Sequence, residues 1–197
     1  RDARRLARRA FRGQQRRFLA EGSQAVGEAL SGAASGEVAV HEVYLTAAAA
    51  ERHRDLVAAA ESARVPVQLA SERVLAALSD TVSPQGVVAV CGFLDRPLAA
   101  VLAGRPALVA LLAEVRDPGN AGSVLRAADA AGADAVVFSA GSVDPYNGKV
   151  VRASVGGLFH VPLVTGVEVG EAIEQLHQAG LSVLAADGAG ATDLDEA

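Results

Sequence analysis

The chain has 197 residues, 51% of them hydrophobic and 21% charged, which is enough apolar material for one or two packed domains. Cys91 is its sole cysteine and lies in an apolar run, which excludes an internal disulfide and a thiol-based zinc knuckle and fits a reducing, cytoplasmic compartment. No uncharged apolar stretch reaches the length of a membrane span, and no apolar signal core follows the basic start, so neither membrane insertion nor secretion is expected.

The net charge of −5 conceals an asymmetry. Residues 1–17 hold eight of the 18 basic residues against Asp2 alone, so this arm carries +7 and the remainder −12. A basic arm on an acidic body points to a polyanion, most often nucleic acid; the alternative is a solvated helix face. The chain has no methionine, so its first residue is not expected to be the natural start.

In chain order, arginines at 1, 4, 5, 8, 9 and 12 recur at helical spacing and predict a helix with one cationic side, ended by Gly13. A short strand at Phe18–Ala20 precedes a helix capped by Ser23, with Ala25, Val26, Ala29 and Leu30 on one side. Strands are expected at Val38–Leu45, Val65–Leu69 and Gly86–Phe93, separated by helices at Glu51–Arg64 and Ser71–Leu78. This alternation predicts a small α/β domain over residues 1–93. Asp95-Arg96-Pro97 and Gly104-Arg105-Pro106 bracket a linker over 94–105, and a second α/β domain with a parallel sheet follows over 106–197. Within it, strands are expected at Ala107–Leu112, Ala135–Phe138, Leu158–Val164 and Leu181–Ala186. Helices are expected after Asn120, at Gly148–Val155 and at Val167–Gln178.

The stretch Glu114–Ala131, EVRDPGNAGSVLRAADAA, reads as the polar loop and helix that leave the first strand of the second domain. In open α/β sheets such strand-end loops hold ligands. Two glycines permit close backbone approach, Asn120 is expected to cap the helix, and Arg126 to face the same mouth one turn in. Lys149 and Arg152 add a second cationic pair on the next crossover, and together these groups suit a phosphate-bearing partner. Taken singly, Arg126 reads more readily as an interhelix salt bridge, and Arg152 reads equally as a solvated helix arginine. Gly119 and Gly122 do not make a GxGxxG fingerprint, which disfavours a nucleotide-dependent oxidoreductase. His41, His53, His160 and His177 lack acidic or thiol partners at ligand spacing and read as ordinary surface or edge histidines; no metal site is expected. Ser154 sits outside a GxSxG elbow, so acyl transfer drops out.

DPGNAGSVLRAADAAGADAVVFS, from Asp117 to Ser139, resembles the first signature of the SpoU family of RNA ribose 2'-O-methyltransferases in the SPOUT superfamily: Asn-x-Gly followed by arginine four residues on. VVRASVGGLFHVP, from Val150 to Pro162, is similar to the segment that follows it. RRFLAEGSQAVGEAL, from Arg16 to Leu30, and LSDTVSPQGVVAV, from Leu78 to Val90, resemble the start and closing strand of the family's substrate-binding domain, an RNA-binding α/β unit. The family's later Gly-Asn-Glu and Ser-Leu-Asn signatures have no counterpart here. In the family those segments complete a trefoil knot, bind most of S-adenosyl-L-methionine and form the dimer interface, so the sequence reads as a shortened or incompletely represented version of an active enzyme.

The resemblance implies methyl transfer from S-adenosyl-L-methionine to a ribose 2'-hydroxyl of structured RNA, with rRNA ahead of tRNA, in a cytoplasmic homodimer. It assigns the catalytic roles to Arg126 and Asn120 and places one wall of the cofactor site at Ala185, Ala186 and Gly188. RNA contacts are expected from Arg8, Arg9, Arg16, Arg17, Lys149 and Arg152. The competing class is a non-catalytic RNA-binding protein of the same fold.

Overall fold

The computed structural model describes residues 3–79, 81 and 84–186. A 3-10 turn at Ala3–Ala7 leads into α1 (Arg9–Gln15) and β1 (Arg17–Glu21), then α2 (Ser23–Ser35) and β2 (Val40–Leu45). Next come α3 (Ala47–Arg52), α4 (Arg54–Ser62), β3 (Val67–Leu69), α5 (Glu72–Leu78) and β4 (Val87–Gly92). α6 (Leu98–Ala103) precedes β5 (Val109–Leu112), α7 (Pro118–Ala130), β6 (Ala135–Ser139), α8 (Gly148–Ala153), β7 (Leu163–Val167) and α9 (Val169–Gln178).

Two sheets result. The first has the order β1-β4-β2-β3, antiparallel except for β2 with β3. Its central β4 is buried throughout, as its uninterrupted Val-Val-Ala-Val-Cys run dictates. The second has the order β5-β6-β7 and is parallel. Successive residues of β6 face opposite sides: Val136 and Phe138 join Leu125 and Val150, whereas Val137 joins Leu98, Val164 and Ala172. Both faces of this sheet are therefore covered, as parallel sheets require.

Several local expectations are corrected. The arm helix passes through Gly13, because glycine only weakens a helix, and ends where Arg16 adopts a left-handed φ of 48°. The expected long helix at Glu51–Arg64 breaks at His53. Gly22, at φ 95°, stands before α2 in place of the Ser23 cap, and the Ser23 N–H donates to Gln85 Oε1. The strand expected from Leu158 starts at Leu163, because Gly156 turns the chain at φ 95° and Pro162 has no N–H for a ladder. Leu181–Ala186 forms no ladder with a described strand; together with β5 and α9 it lines a cavity of about 570 Å³.

One apolar core runs from Phe18 and Val26 through Tyr146 to Leu125 and Leu163, joining the two sheets. Phe93 stacks on Tyr146 with ring centres 3.9 Å apart, and Phe18 packs on both Tyr146 and Phe159. The Tyr146 hydroxyl accepts from the Leu94 and Asp95 N–H groups and donates to Asp95 Oδ1 at 2.9 Å. Beside it, Arg12 turns inward from the arm, 5% exposed, and donates to the Leu6 and Ala7 carbonyls and to Asp144 Oδ2 at 2.6 Å. It is not part of the arm's cationic face.

A third cross-link is His160. Its Nδ1 meets Asp129 Oδ2 of α7 at 3.0 Å and its Nε2 meets Glu28 Oε2 of α2 at 3.1 Å. Gly156 and Gly157 make room for the two carboxylates: a Cβ would stand 2.7 Å from Glu28 Cγ at the first and 3.1 Å from Asp129 Cβ at the second.

Two outcomes are expected. Arg12→Ala strands Asp144 and two carbonyls beneath the arm, so it should cost about 3–5 kcal/mol in urea denaturation; a change within about 1 kcal/mol would refute the burial of this pair. The hydrogen bond with Asp129 and then that with Glu28 raise the His160 pKa above 6.5, against the effect of burial. A raised folded-state pKa means the contribution is full below 6.5 and is lost as pH climbs through the raised value. The wild-type urea midpoint should therefore fall over that window by more than the midpoint of His160→Gln does, and parallel profiles would remove the cross-link.

Candidate RNA-methylation site

α7 begins one turn earlier than the sequence indicates. Asp117, not Asn120, is its cap: Asp117 Oδ1 accepts from the Asn120 N–H at 2.8 Å, and Pro118 occupies the first helical position, where its missing N–H costs nothing. Asn120 is thereby in the first turn and Arg126 six residues on, about 9 Å along the axis and about 120° around it. Both side chains remain on the exposed side. Arg126 makes no ion pair or hydrogen bond with another described residue, so the interhelix salt bridge open to it in the sequence is not formed.

The opposite side of α7 buries Ala121, Gly122, Leu125 and Ala128. At Gly122 a Cβ would collide with the Ala153 side chain and lie 2.9 Å from the Val150 carbonyl. The signature glycine therefore lets α7 and α8 touch backbone to backbone, fixing the Arg126 helix against the Lys149 helix.

Lys149 is exposed on α8, whose first turn is capped by Asn147 Oδ1 accepting from the Lys149 N–H at 2.9 Å. Arg152 is engaged elsewhere: its guanidinium donates to Glu21 Oε2 at 3.0 Å, tying α8 to the end of β1. Glu21 Oε1 also accepts from the Ser79 and Thr81 hydroxyls, so this carboxylate is fully used. Of the arm, Arg8, Arg9 and Arg17 are exposed, whereas Arg16 is held by Asp95 at 3.1 Å and lies over the Phe93 ring. Arg9 edges a cavity of about 190 Å³ at the carboxyl ends of β6 and β7, whose other walls include Ser139, Ser142, Tyr146 and Thr165.

Ala185 and Ala186 line the cavity of about 570 Å³ beside β5, among mainly aliphatic neighbours. Gly188 lies outside the described residues. The volume falls in the range of small-molecule sites, and Ser182 is the one polar side chain among the described residues that line it. Among the described residues no cluster of His, Cys, Asp or Glu could hold a metal ion, and no helix is long and apolar enough to cross a membrane. The sequence indicates a loop from Ser139 to Asn147 but not its hydrogen bonds to the exit of β5, nor the His160 pair of carboxylates, because those partners are far off in the chain and no local pattern marks them.

Two family models match. Residues 19–97 match the substrate-binding domain of RNA 2'-O ribose methyltransferases, and residues 107–197 match the SpoU rRNA methylase family. The 23S rRNA (guanosine(2553)-2'-O)-methyltransferase RlmP of Bacillus subtilis is 43% identical over 94 residues, 48% of this chain and 36% of its own length. The mitochondrial rRNA methyltransferase 3A of Danio rerio is 33% identical over 165 residues, 81% of this chain and again 36% of its own. The chain thus spans about a third of the length of these relatives.

Among solved structures, an rRNA methyltransferase from Sinorhizobium meliloti superposes with a TM-score of 0.77 at 27% identity, covering 98% of this chain and 70% of that one. The SpoU methyltransferase AviRb from Streptomyces viridochromogenes, solved in complex with AdoMet, gives 0.70 at 25% identity, covering 90% and 66%. With an RNA 2'-O ribose methyltransferase substrate-binding unit followed by a SpoU methylase unit on this framework, the chain belongs to the SpoU family of RNA methyltransferases.

Proposed function

We propose that this chain serves S-adenosylmethionine-dependent methylation of a ribose 2'-hydroxyl in ribosomal RNA. The observation that carries the reading is Arg126: a guanidinium without a partner among the described residues, on the open side of a glycine-fixed helix, in the loop-helix unit that follows the first strand of a parallel sheet. RlmP, which acts on 23S rRNA, and AviRb, which was solved with AdoMet, support the substrate and the cofactor.

When bound, S-adenosylmethionine supplies an electrophilic methyl on a cationic sulfur. Ala185 and Ala186 would hold it, their small side chains leaving the backbone open to approach. The chain's own task is the nucleophile, a weakly acidic sugar hydroxyl that must be oriented and relieved of its proton. Arg126 stays protonated and is therefore no base. Its planar fork grips the adjoining phosphate and stabilises negative charge as it develops on the sugar oxygen, while phosphate or water takes the proton. Asn120 orients the reacting nucleotide from the first turn of the same helix. Arg8, Arg9, Arg17 and Lys149 are the exposed cations that would hold phosphates, with Arg16 and Arg152 able to contribute only by exchanging their carboxylate partners.

The protein acts as a homodimer in the cytoplasm. The unpaired thiol Cys91, fully buried in β4, is suited to a reducing compartment.

Arg126→Lys should abolish most transfer of radiolabelled methyl to rRNA, by about 100-fold or more, while leaving the unfolding transition unchanged. Near-normal transfer would reject the assignment, and RNA binding without transfer by the unaltered protein would favour a non-catalytic binder. Neutralising Arg8, Arg9 and Arg17 together should flatten the salt dependence of RNA affinity by about 2–3 units of log–log slope; an unchanged slope means the arm touches no phosphate. Sedimentation should report twice the chain mass, and a monomer at every concentration would overturn the dimer.

A further inference from the structure

The chain leaves β5 through an awkward turn. Glu114 takes a left-handed φ of 53°, which a side-chain-bearing residue adopts only when its surroundings hold it there. Only Val115 and Arg116 separate it from Asp117, whose carboxylate caps α7. The path of this turn therefore sets where the cap and Asn120 stand.

Two buried hydroxyls hold it. The Glu114 N–H donates to Ser139 Oγ at 2.9 Å and the Val115 N–H to Ser142 Oγ at 3.2 Å. Ser142 Oγ in turn donates to the Leu112 carbonyl at 2.9 Å. That bond uses its only proton, so in the 3.1 Å contact between the two hydroxyls Ser139 must be the donor. The proton order is fixed in one direction: Ser139 to Ser142, and Ser142 to Leu112. A backbone bond from the Val143 N–H to the Val115 carbonyl closes the set.

Ser139 and Ser142 are 3% and 6% exposed. Between them Gly141 lets the Glu114 stem lie against the backbone, since a Cβ there would stand 2.9 Å from Glu114 Cγ. Two residues beyond Ser142, Asp144 receives the buried Arg12 of the arm. The segment Ser139–Asp144 thus grips the exit of β5 at one end and the basic arm at the other.

We propose that Ser139 and Ser142 are positioning residues for methyl transfer, holding the Glu114–Asp117 turn so that Asn120 and Arg126 meet the nucleotide in register. The inference rests on the reading of α7 as the catalytic helix. Their effect passes through the turn, which is why they should act on turnover and not on affinity.

Amide hydrogen exchange and steady-state methylation test this together. In Ser142→Ala the Glu114 and Val115 amides should exchange about tenfold faster or more. kcat should fall about tenfold or more while KM for RNA stays within about twofold. Ser142→Thr, which keeps the hydroxyl, should recover both. Ser139→Ala leaves the bond from Ser142 to Leu112 in place and carries the same test should Ser142→Ala lose cooperative unfolding.

Unchanged exchange at those two amides would overturn the clamp, and faster exchange with unchanged kcat would overturn its role in positioning. Arg126→Ala run alongside separates this from the parent reading. If it stays active while Ser142→Ala loses turnover, the assignment of Arg126 falls but the positioning of the turn stands; if it is inactive while Ser142→Ala turns over normally, only the positioning falls.

Discussion

A guanidinium removed from water must have its charge and its donors answered by protein groups, and Arg12 meets that condition at the meeting point of three segments. Its donors reach the first turn of the arm through Leu6 and Ala7 and the loop after β6 through Asp144. Because an uncompensated buried charge is so costly, the arm has little freedom to lift away from the second sheet without breaking the pair. The tyrosine two residues beyond Asp144 extends the same junction, its ring stacked on Phe93 and its hydroxyl bonded to the start of the connection between the sheets. Burial and the neighbouring Asp95 carboxylate push the Tyr146 pKa up, so the phenol stays neutral and keeps donating.

This junction is not alone in linking elements around the first sheet to those around the second. Arg152 with Glu21 and His160 with Glu28 and Asp129 reinforce it at separate places, each joining an element of the first unit to one of the second. Polar cross-links of this kind are directional, so they fix orientation where an apolar contact alone would tolerate sliding. Under the proposed function, a module that delivers RNA and a module that modifies it have to keep a fixed relation, since a displacement of about 1 Å at the reacting atoms is enough to lose much of the rate.

The charge distribution follows from the same arrangement. Arginines that look alike in the sequence divide into those held by carboxylates, Arg12, Arg16 and Arg152, and those left on the surface, among them Arg8, Arg9 and Arg17. The first group builds the molecule and the second is available to phosphate. Arg126 belongs to the second group by exposure, yet sits on a helix whose other side is packed without slack at Gly122, so its base is rigid while its tip is open.

The sequence by itself determined the α/β alternation, the parallel second sheet, the buried stripe of α2 and the loop-helix unit from Asp117 to Arg126, because periodicity and turn chemistry act over a few residues. It also carried the family resemblance, through motifs that are contiguous in the chain. It misplaced the α7 cap by three residues, since Asp117 and Asn120 are both good caps and only the hydrogen bond chooses between them. It read His160 as an ordinary surface residue and Arg12 as part of a cationic face, whereas tertiary structure set them against partners 31, 132 and again 132 positions away. Leu181–Ala186 has the composition of a strand but lacks a ladder, since pairing needs a neighbour at hydrogen-bonding distance, and that is a property of the fold and not of the segment.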